Sequence, residues 1–472
     1  MITSSIFKAN DIRGIVGGEY AEWDTDGARA LGRAYVEVSG LRGQRFVLGR
    51  DMRTSGPTLA AAFAAGAAAA GADVIELGLT STDQLWYASG SRDLPGVQFT
   101  ASHNPPDYNG LKFCLRGAQP VSPEFLREVA ARSAELDAAP GGDGDGAAPG
   151  SIERADTLPD YAAYLRSLVD LDGLRPLTVV VDAGNGMAGH TAHAVLDGLG
   201  LSIIGLYLDL DGTFPNHQPN PLVPENLRDA QRAVLEHGAD LALVFDGDAD
   251  RCFIIDERGE VVTPSTVTAL IARSELAREP GATVVVNSIT SHTVAEVVAE
   301  NGGTTVVSRV GHTYVKAKMA AHHAIFGGEH SAHYYFRDFW GADTGMLAAL
   351  HVLSLLGHRD VTMSGLVQQY QRYHNSGEIN FVVGDAGAVM QAVADAFASR
   401  GEAVMDDGLT VSGDAGERGP WWFNLRPSNT EPLLRFNVEA RAAEVMEALR
   451  DDVSELVHGL QRPDAGPSPD AG

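Results

Sequence analysis

The chain has 472 residues, enough at about 150 residues per domain for roughly three domains, so one small module is excluded. With 35 Lys plus Arg against 62 Asp plus Glu, the formal net charge is −27, which excludes a broad nucleic-acid coat because that needs a basic face. Two cysteines, Cys114 and Cys252, are too few for a disulfide framework or a thiolate zinc site, and a reducing, cytoplasmic compartment fits them.

The opening MITSSIFKANDIRG lacks a basic stretch followed by an apolar run, so it does not read as a secretion signal. Short β-rich runs then alternate with Ala/Leu-rich helical patterns: RFVLGRD, ADVIEL, GVQFTAS, LTVVVDA, LSIIGLY, LALVFDG, CFIIDERG, ATVVVN and TTVVS. This alternation predicts α/β layers with largely parallel strands. The Ala/Gly run over 59–72 is too short for a bilayer and predicts a buried helix in a tight layer, so no membrane association is expected. AAPGGDGDGAAPG, residues 138–150, marks a domain boundary. Further units are expected over 151–256 and 257–372, an α+β end domain over 373–460, and a disordered tail over 461–472.

Four segments carry chemistry. TASHNPP follows the apolar GVQF, which exposes Ser102 at a strand end where ligands and nucleophiles favour sitting; a turn capped by Ser, His and Asn is the competing reading. In DGDADR, Asp246, Asp248 and Asp250 alternate, so their oxygens can converge on one hard divalent cation. Glu257 falls at the twelfth position of a calcium loop, but Arg251 occupies the sixth, where that loop needs Gly, which favours Mg²⁺; a solvated acidic turn is the alternative. In GGEHSAHYYFRDF, Glu329 and Ser331 offer an acceptor and a hydroxyl to a polyol. RPSNTE groups Arg426, Ser428, Asn429 and Thr430 in one turn, either a cradle for a phosphate dianion or a plain β-turn.

GNGMAG, residues 184–189, matches a dinucleotide fingerprint, which keeps an NAD-dependent oxidoreductase as a distant alternative. Asp182 beside it would repel a pyrophosphate, and tight strand-to-helix packing explains the glycines as well. His312, His322, His323, His330 and His333 fit no zinc spacing. Lys occurs only at 8, 112, 316 and 318 in an Arg-rich chain, which marks each as a place where a compact or titratable ammonium is useful.

TASHNP, DGDADR, GE-x-S-x-H and RPSNTEP, in that order and about a domain apart, resemble the α-D-phosphohexomutase family over nearly the whole chain. The resemblance implies three consecutive mixed α/β three-layer domains plus a smaller C-terminal α+β domain around a central cleft. It implies that Ser102 is a phosphoserine, that Mg²⁺ is held by Asp246, Asp248, Asp250 and a phosphate oxygen on Ser102, and that Glu329 and Ser331 bind sugar hydroxyls. Arg426, Ser428, Asn429 and Thr430 would take the non-reacting phosphate, with Arg13, His103, Lys112, Arg251 and His312 near the reacting groups. The implied reaction interconverts hexose 6-phosphate and hexose 1-phosphate through a bisphosphate, with hexose 1,6-bisphosphate as activator. Lys112 is the first candidate acid/base, then His103 and His312. The GE-x-SAH-x-YFRDF wording is most similar to the bacterial phosphomannomutase branch, which implies mannose phosphates, with glucose phosphates or dual specificity as the alternative.

Overall fold

Nine of the strands follow directly from the apolar β-rich runs, because each run is long enough to cross a sheet and is bounded by turn-forming residues. The computed structural model describes residues 1–8, 11–138, 148–428 and 433–461. The strands group into four sheets. In the first, Arg45–Arg50, Asp73–Leu79, Gly96–Phe99 and Ile152–Arg154 run parallel, while Tyr108–Cys114 and Ile12–Ile15 continue it antiparallel.

The Ala/Gly run forms the helix Gly56–Ala69, which lies against Thr25–Ser39. The approach is backbone to backbone: a Cβ on Gly32 would sit 2.1 Å from Phe63 O, and one on Gly66 would sit 2.1 Å from Arg29 O. Only hydrogen fits at those two places. The small-residue composition therefore records a close helix pair.

The second sheet is built on Leu177–Asp182 and Leu241–Phe245, with Leu201–Leu206 at one edge and Cys252–Asp256 and Val261–Val262 towards the other. The third centres on Thr283–Asn287 and Phe326–Gly328. One hydrophobic core runs through both, and the helix Gly345–Gly357, mostly apolar and buried along nearly its whole length, lies inside it together with Leu85 and Trp86 from the first unit. The fourth sheet is antiparallel around Pro420–Pro427 and Leu434–Ala440 and has its own core.

Ile152–Arg154 pairs into the first sheet and Val261–Val262 into the second, so both sheets extend past the expected boundaries at 150 and 256. Residues 139–147 of the Gly-rich break and residues 462–472 of the expected tail lie outside the described residues. Among the described residues no helix is long and apolar enough to cross a membrane. Cys114 and Cys252 are both free and buried, and burial pushes both thiols up, Cys114 to about 11.

Candidate active site

The strand Gly96–Phe99 is buried along its length, and the chain turns sharply as it leaves the sheet. Ser102 sits in that turn at φ 49, a left-handed conformation that costs a non-glycine residue on the order of 1 kcal/mol and needs outside support. Arg53 supplies much of it. Its Nη2 donates to Ser102 O at 2.8 Å and Asn104 O at 2.7 Å, and its Nη1 to Pro105 O at 2.6 Å and Tyr108 O at 2.9 Å. Arg53 is fully buried, and its Nε donates to Asp51 at 3.2 Å, so the charge is paired as well as hydrogen-bonded. Arg13 reaches the same loop, donating to Asn104 Oδ1 at 2.6 Å.

The acidic loop leaves the second sheet after Leu241–Phe245 and returns as the antiparallel strand Cys252–Asp256. Asp246, Asp248 and Asp250 are buried, and each offers an oxygen within 4.8 Å of the others. Ser102 Oγ donates to Asp246 Oδ2 at 2.9 Å, joining the two loops. Arg251 Nε donates to the same oxygen at 2.8 Å. Lys112 Nζ donates to Asp248 Oδ2 at 2.7 Å and Asp250 Oδ2 at 2.6 Å. Asp248 Oδ1 and Asp250 Oδ1 are buried without a hydrogen-bond partner. Such orphaned carboxylate oxygens are costly unless a cation takes them, and an all-oxygen set suits a hard ion such as Mg²⁺. Glu257 is engaged elsewhere, accepting from Ser364 N at 3.0 Å, so a calcium loop closed by that residue is ruled out.

The electrostatics divide the loop. Burial pushes the Asp246 carboxyl up, more than Arg251 brings it down. Burial also acts upward on Asp248, but Lys112 outweighs it and holds that group low. Burial acts to lower the Lys112 ammonium, yet Asp248 and Asp250 overcome this and hold it above its ordinary value. Burial, then the charges of Arg251 and Arg13, hold His103 well below the usual imidazole range, and its Nδ1 lies 3.2 Å from Ser102 Oγ. Arg251 Nη2 donates to the same Nδ1, so the lone pair that faces the hydroxyl is already engaged by a guanidinium.

Glu329 follows the strand Phe326–Gly328 and is buried. It accepts from Tyr335 OH at 2.5 Å, Asn287 Nδ2 at 3.1 Å and Gly311 N at 3.2 Å, which fixes the carboxylate while leaving acceptor capacity. Ser331 Oγ lies 2.9 Å from His333 Nδ1. His312 opens the helix His312–His322, and burial, then Lys316, lowers its imidazole to about 4. Arg426, on Pro420–Pro427, is 6% exposed; its Nε is buried without a partner, and Glu378 stands 3.9 Å from its Nη2. Ser428 N donates to Leu433 O at 2.8 Å. Asn429 and Thr430 lie outside the described residues.

The site also holds groups that no sequence motif announces. Arg53 is one; Lys316, which the scarcity of lysine marks but no motif places here, lies 2.7 Å from Asp343 and over the Trp86 ring. GNGMAG plays a packing role: Cβ atoms on Gly186 and Gly189 would meet Gly247 O at 2.7 Å and Leu208 O at 2.0 Å. Asp182 accepts from Gly184 N at 2.9 Å and contacts His217 at 3.1 Å. The space a pyrophosphate would need is filled by backbone, so the dinucleotide alternative falls.

Comparison with known proteins agrees with this layout. Residues 4–139, 159–259 and 263–373 match alpha/beta/alpha domains I, II and III of phosphoglucomutase/phosphomannomutase, and residues 378–456 match its C-terminal domain. A phosphomannomutase of Salmonella montevideo is 39% identical over 96% of this chain and 98% of its own length. A protein of Xanthomonas campestris described as phosphohexose mutases is 39% identical over 97% of this chain and 100% of its own. The crystal structure of a phosphoglucomutase/phosphomannomutase family protein from Burkholderia thailandensis superposes with TM-score 0.87 at 33% identity, covering 97% of this chain and 98% of that one.

Proposed function

Because the chain belongs to the phosphoglucomutase/phosphomannomutase family, we propose that it is a hexose-phosphate mutase that interconverts mannose 6-phosphate and mannose 1-phosphate through a phosphorylated Ser102. The observation that carries this reading is the 2.9 Å contact between Ser102 Oγ and Asp246, which brings a hydroxyl and a carboxylate cluster from two units to one point. Full-length relatives named phosphomannomutase favour mannose, and glucose phosphates are the second substrate to test.

The residues fit Mg²⁺: Asp246, Asp248 and Asp250 would hold it, and the Oδ1 atoms of Asp248 and Asp250, buried without hydrogen-bond partners, support this. When bound, the ion would neutralise charge on the transferring phosphoryl group. The chain's own groups do the rest. Arg251 adds positive charge beside Ser102, and Lys112 adds it beside Asp248 and Asp250. Arg426, with an unpaired Nε, would bind the sugar's distal phosphate together with Ser428, Asn429 and Thr430. Glu329 and Ser331 would accept from and donate to the sugar hydroxyls.

In the forward step the P–O bond to Ser102 breaks as a bond forms to the free hydroxyl of the hexose monophosphate. The proton that this hydroxyl loses ends, directly or through a relay, on the Ser102 oxygen that leaves, so the step balances without net proton gain or loss. His103 Nδ1, which lies 3.2 Å from Ser102 Oγ and accepts from Arg251 Nη2, borders the serine side of this transfer. The resulting bisphosphate then returns its other phosphoryl group to Ser102, and hexose 1,6-bisphosphate serves as activator by rephosphorylating it. Free, buried Cys114 and Cys252 support a reducing, cytoplasmic setting.

The test compares kcat/KM for mannose 1-phosphate and glucose 1-phosphate with Mg²⁺ and a trace of bisphosphate, beside Ser102→Ala. We expect turnover of mannose 1-phosphate, its abolition in Ser102→Ala, and phosphoserine at residue 102 by mass spectrometry. An active Ser102→Ala enzyme would overturn the reading.

A further inference from the structure

Asp248 is held from two directions through one oxygen. Lys112 Nζ donates to Oδ2 at 2.7 Å, and Thr82 Oγ1 donates to the same atom at 2.6 Å. Thr82 N also donates to Asp248 O at 3.0 Å, so Thr82 grips both the side chain and the backbone of this residue. With Oδ2 occupied twice, the buried and unpartnered Oδ1 is the atom left for a cation.

Thr82 begins the helix Thr82–Arg92, capped by Ser81, whose Oγ accepts from Gln84 N. Its neighbour Asp83 is fully buried and accepts three hydroxyls: Ser81 Oγ, Tyr161 OH at 2.7 Å and Thr344 Oγ1 at 2.7 Å. Ser81 leads out of the first sheet, Tyr161 lies on Leu158–Ser167 ahead of the second sheet, and Thr344 caps Gly345–Gly357 beside the third. A buried carboxylate without a facing cation persists only when its oxygens are hydrogen-bonded, and here the donors come from three units. The first turn of the helix is thus pinned where the units meet, and the pinned turn presents Thr82 to Asp248.

We propose that Thr82 is a positioning residue for the divalent cation, acting through Asp248, and that Asp83 holds it in place by tying its helix to the second and third units. This rests on the metal reading above. Neither residue touches substrate; each sets the orientation of a ligand, and outer partners of metal ligands carry a measurable share of affinity.

The test uses the full chain, with Mn²⁺ as the probe and free Mn²⁺ followed by electron paramagnetic resonance, so no turnover is needed. Thr82→Val removes the hydroxyl at constant shape, and we expect it to weaken Mn²⁺ binding by about 10- to 100-fold. Thr82→Ser keeps the hydroxyl and is expected to restore most of the affinity. Asp83→Asn should weaken binding in the same direction, and Thr82→Val/Asp83→Asn should bind no more weakly than Thr82→Val, because both act through one contact. Parent-like affinity in Thr82→Val, or equal loss in Thr82→Val and Thr82→Ser, would overturn the proposal. So would a lower Tm with unchanged Mn²⁺ affinity, which marks a purely structural contact. A parent chain that binds no Mn²⁺ would remove the metal reading and this proposal together. Binding by the parent with unaltered variants would remove this proposal alone.

Discussion

Arg53 Nη2 donates to the carbonyl oxygen of Ser102 at 2.8 Å, across 49 residues of sequence. The bond is made to backbone, so it is available whatever the serine hydroxyl carries. A planar fork with five donors can reach four carbonyls at once, whereas an ammonium cannot.

Arg53→Lys should therefore release the serine loop while keeping the charge. We expect kcat to fall at least about tenfold and stability by about 2–4 kcal/mol, since Asp51 loses a rigid partner and several buried carbonyls lose theirs. Steady-state kinetics and urea unfolding measure the two; an unchanged kcat would show that the loop holds its φ 49 conformation without Arg53.

Chelation with EDTA should abolish turnover, and Mg²⁺ should restore it. Asp248→Asn removes a ligand charge, so the Mg²⁺ concentration for half-maximal activity should rise by about tenfold or more. A magnesium titration of parent and variant decides this.

Lys316 and Asp343 form an ion pair 2.7 Å apart with side chains only 5% and 3% exposed. Lys316→Met leaves a carboxylate buried without its cation, which should cost about 3–5 kcal/mol in denaturant unfolding. Adding Asp343→Asn should recover part of that loss, because it removes the stranded charge.

His351 is buried on the helix Gly345–Gly357, stacked on Phe336 at 5.0 Å, with Glu275 3.9 Å away. Burial, helped by Arg278, lowers its imidazole from 6.5 to about 3. Between those values the unfolded chain binds a proton that the folded chain does not. Stability therefore falls as pH drops through that window, by at most about 1.4 kcal/mol per pH unit for this one group. In His351→Phe the acid limb of Tm against pH should be shallower, measured by circular dichroism between about pH 6.5 and 4.5.

The sequence announces those parts of the site in which a polar motif interrupts an apolar strand pattern. Ser102 after GVQF and the three aspartates after LALVF are of this kind, because only function or a cap explains polar residues where a buried strand ends. Thr82 and Arg53 have no such local sign. Thr82 meets Asp248 across 166 residues, a contact that exists only after the units have packed. The same limit applies to strands. Ile152–Arg154 and Glu402–Asp406 are exposed throughout, lie at sheet edges and bury no alternating face, so nothing in their pattern separates them from loop.

Both thiols of the chain are enclosed, Cys114 at 2% exposure and Cys252 at 1%, and both are held protonated. Thiolate is the reactive form, so the folded protein presents no ready target to alkylating agents or oxygen. It should purify and keep its activity without reductant. A maleimide dye added to it would then label only chains that have opened, giving a readout of unfolding that sugar phosphates change only through stability.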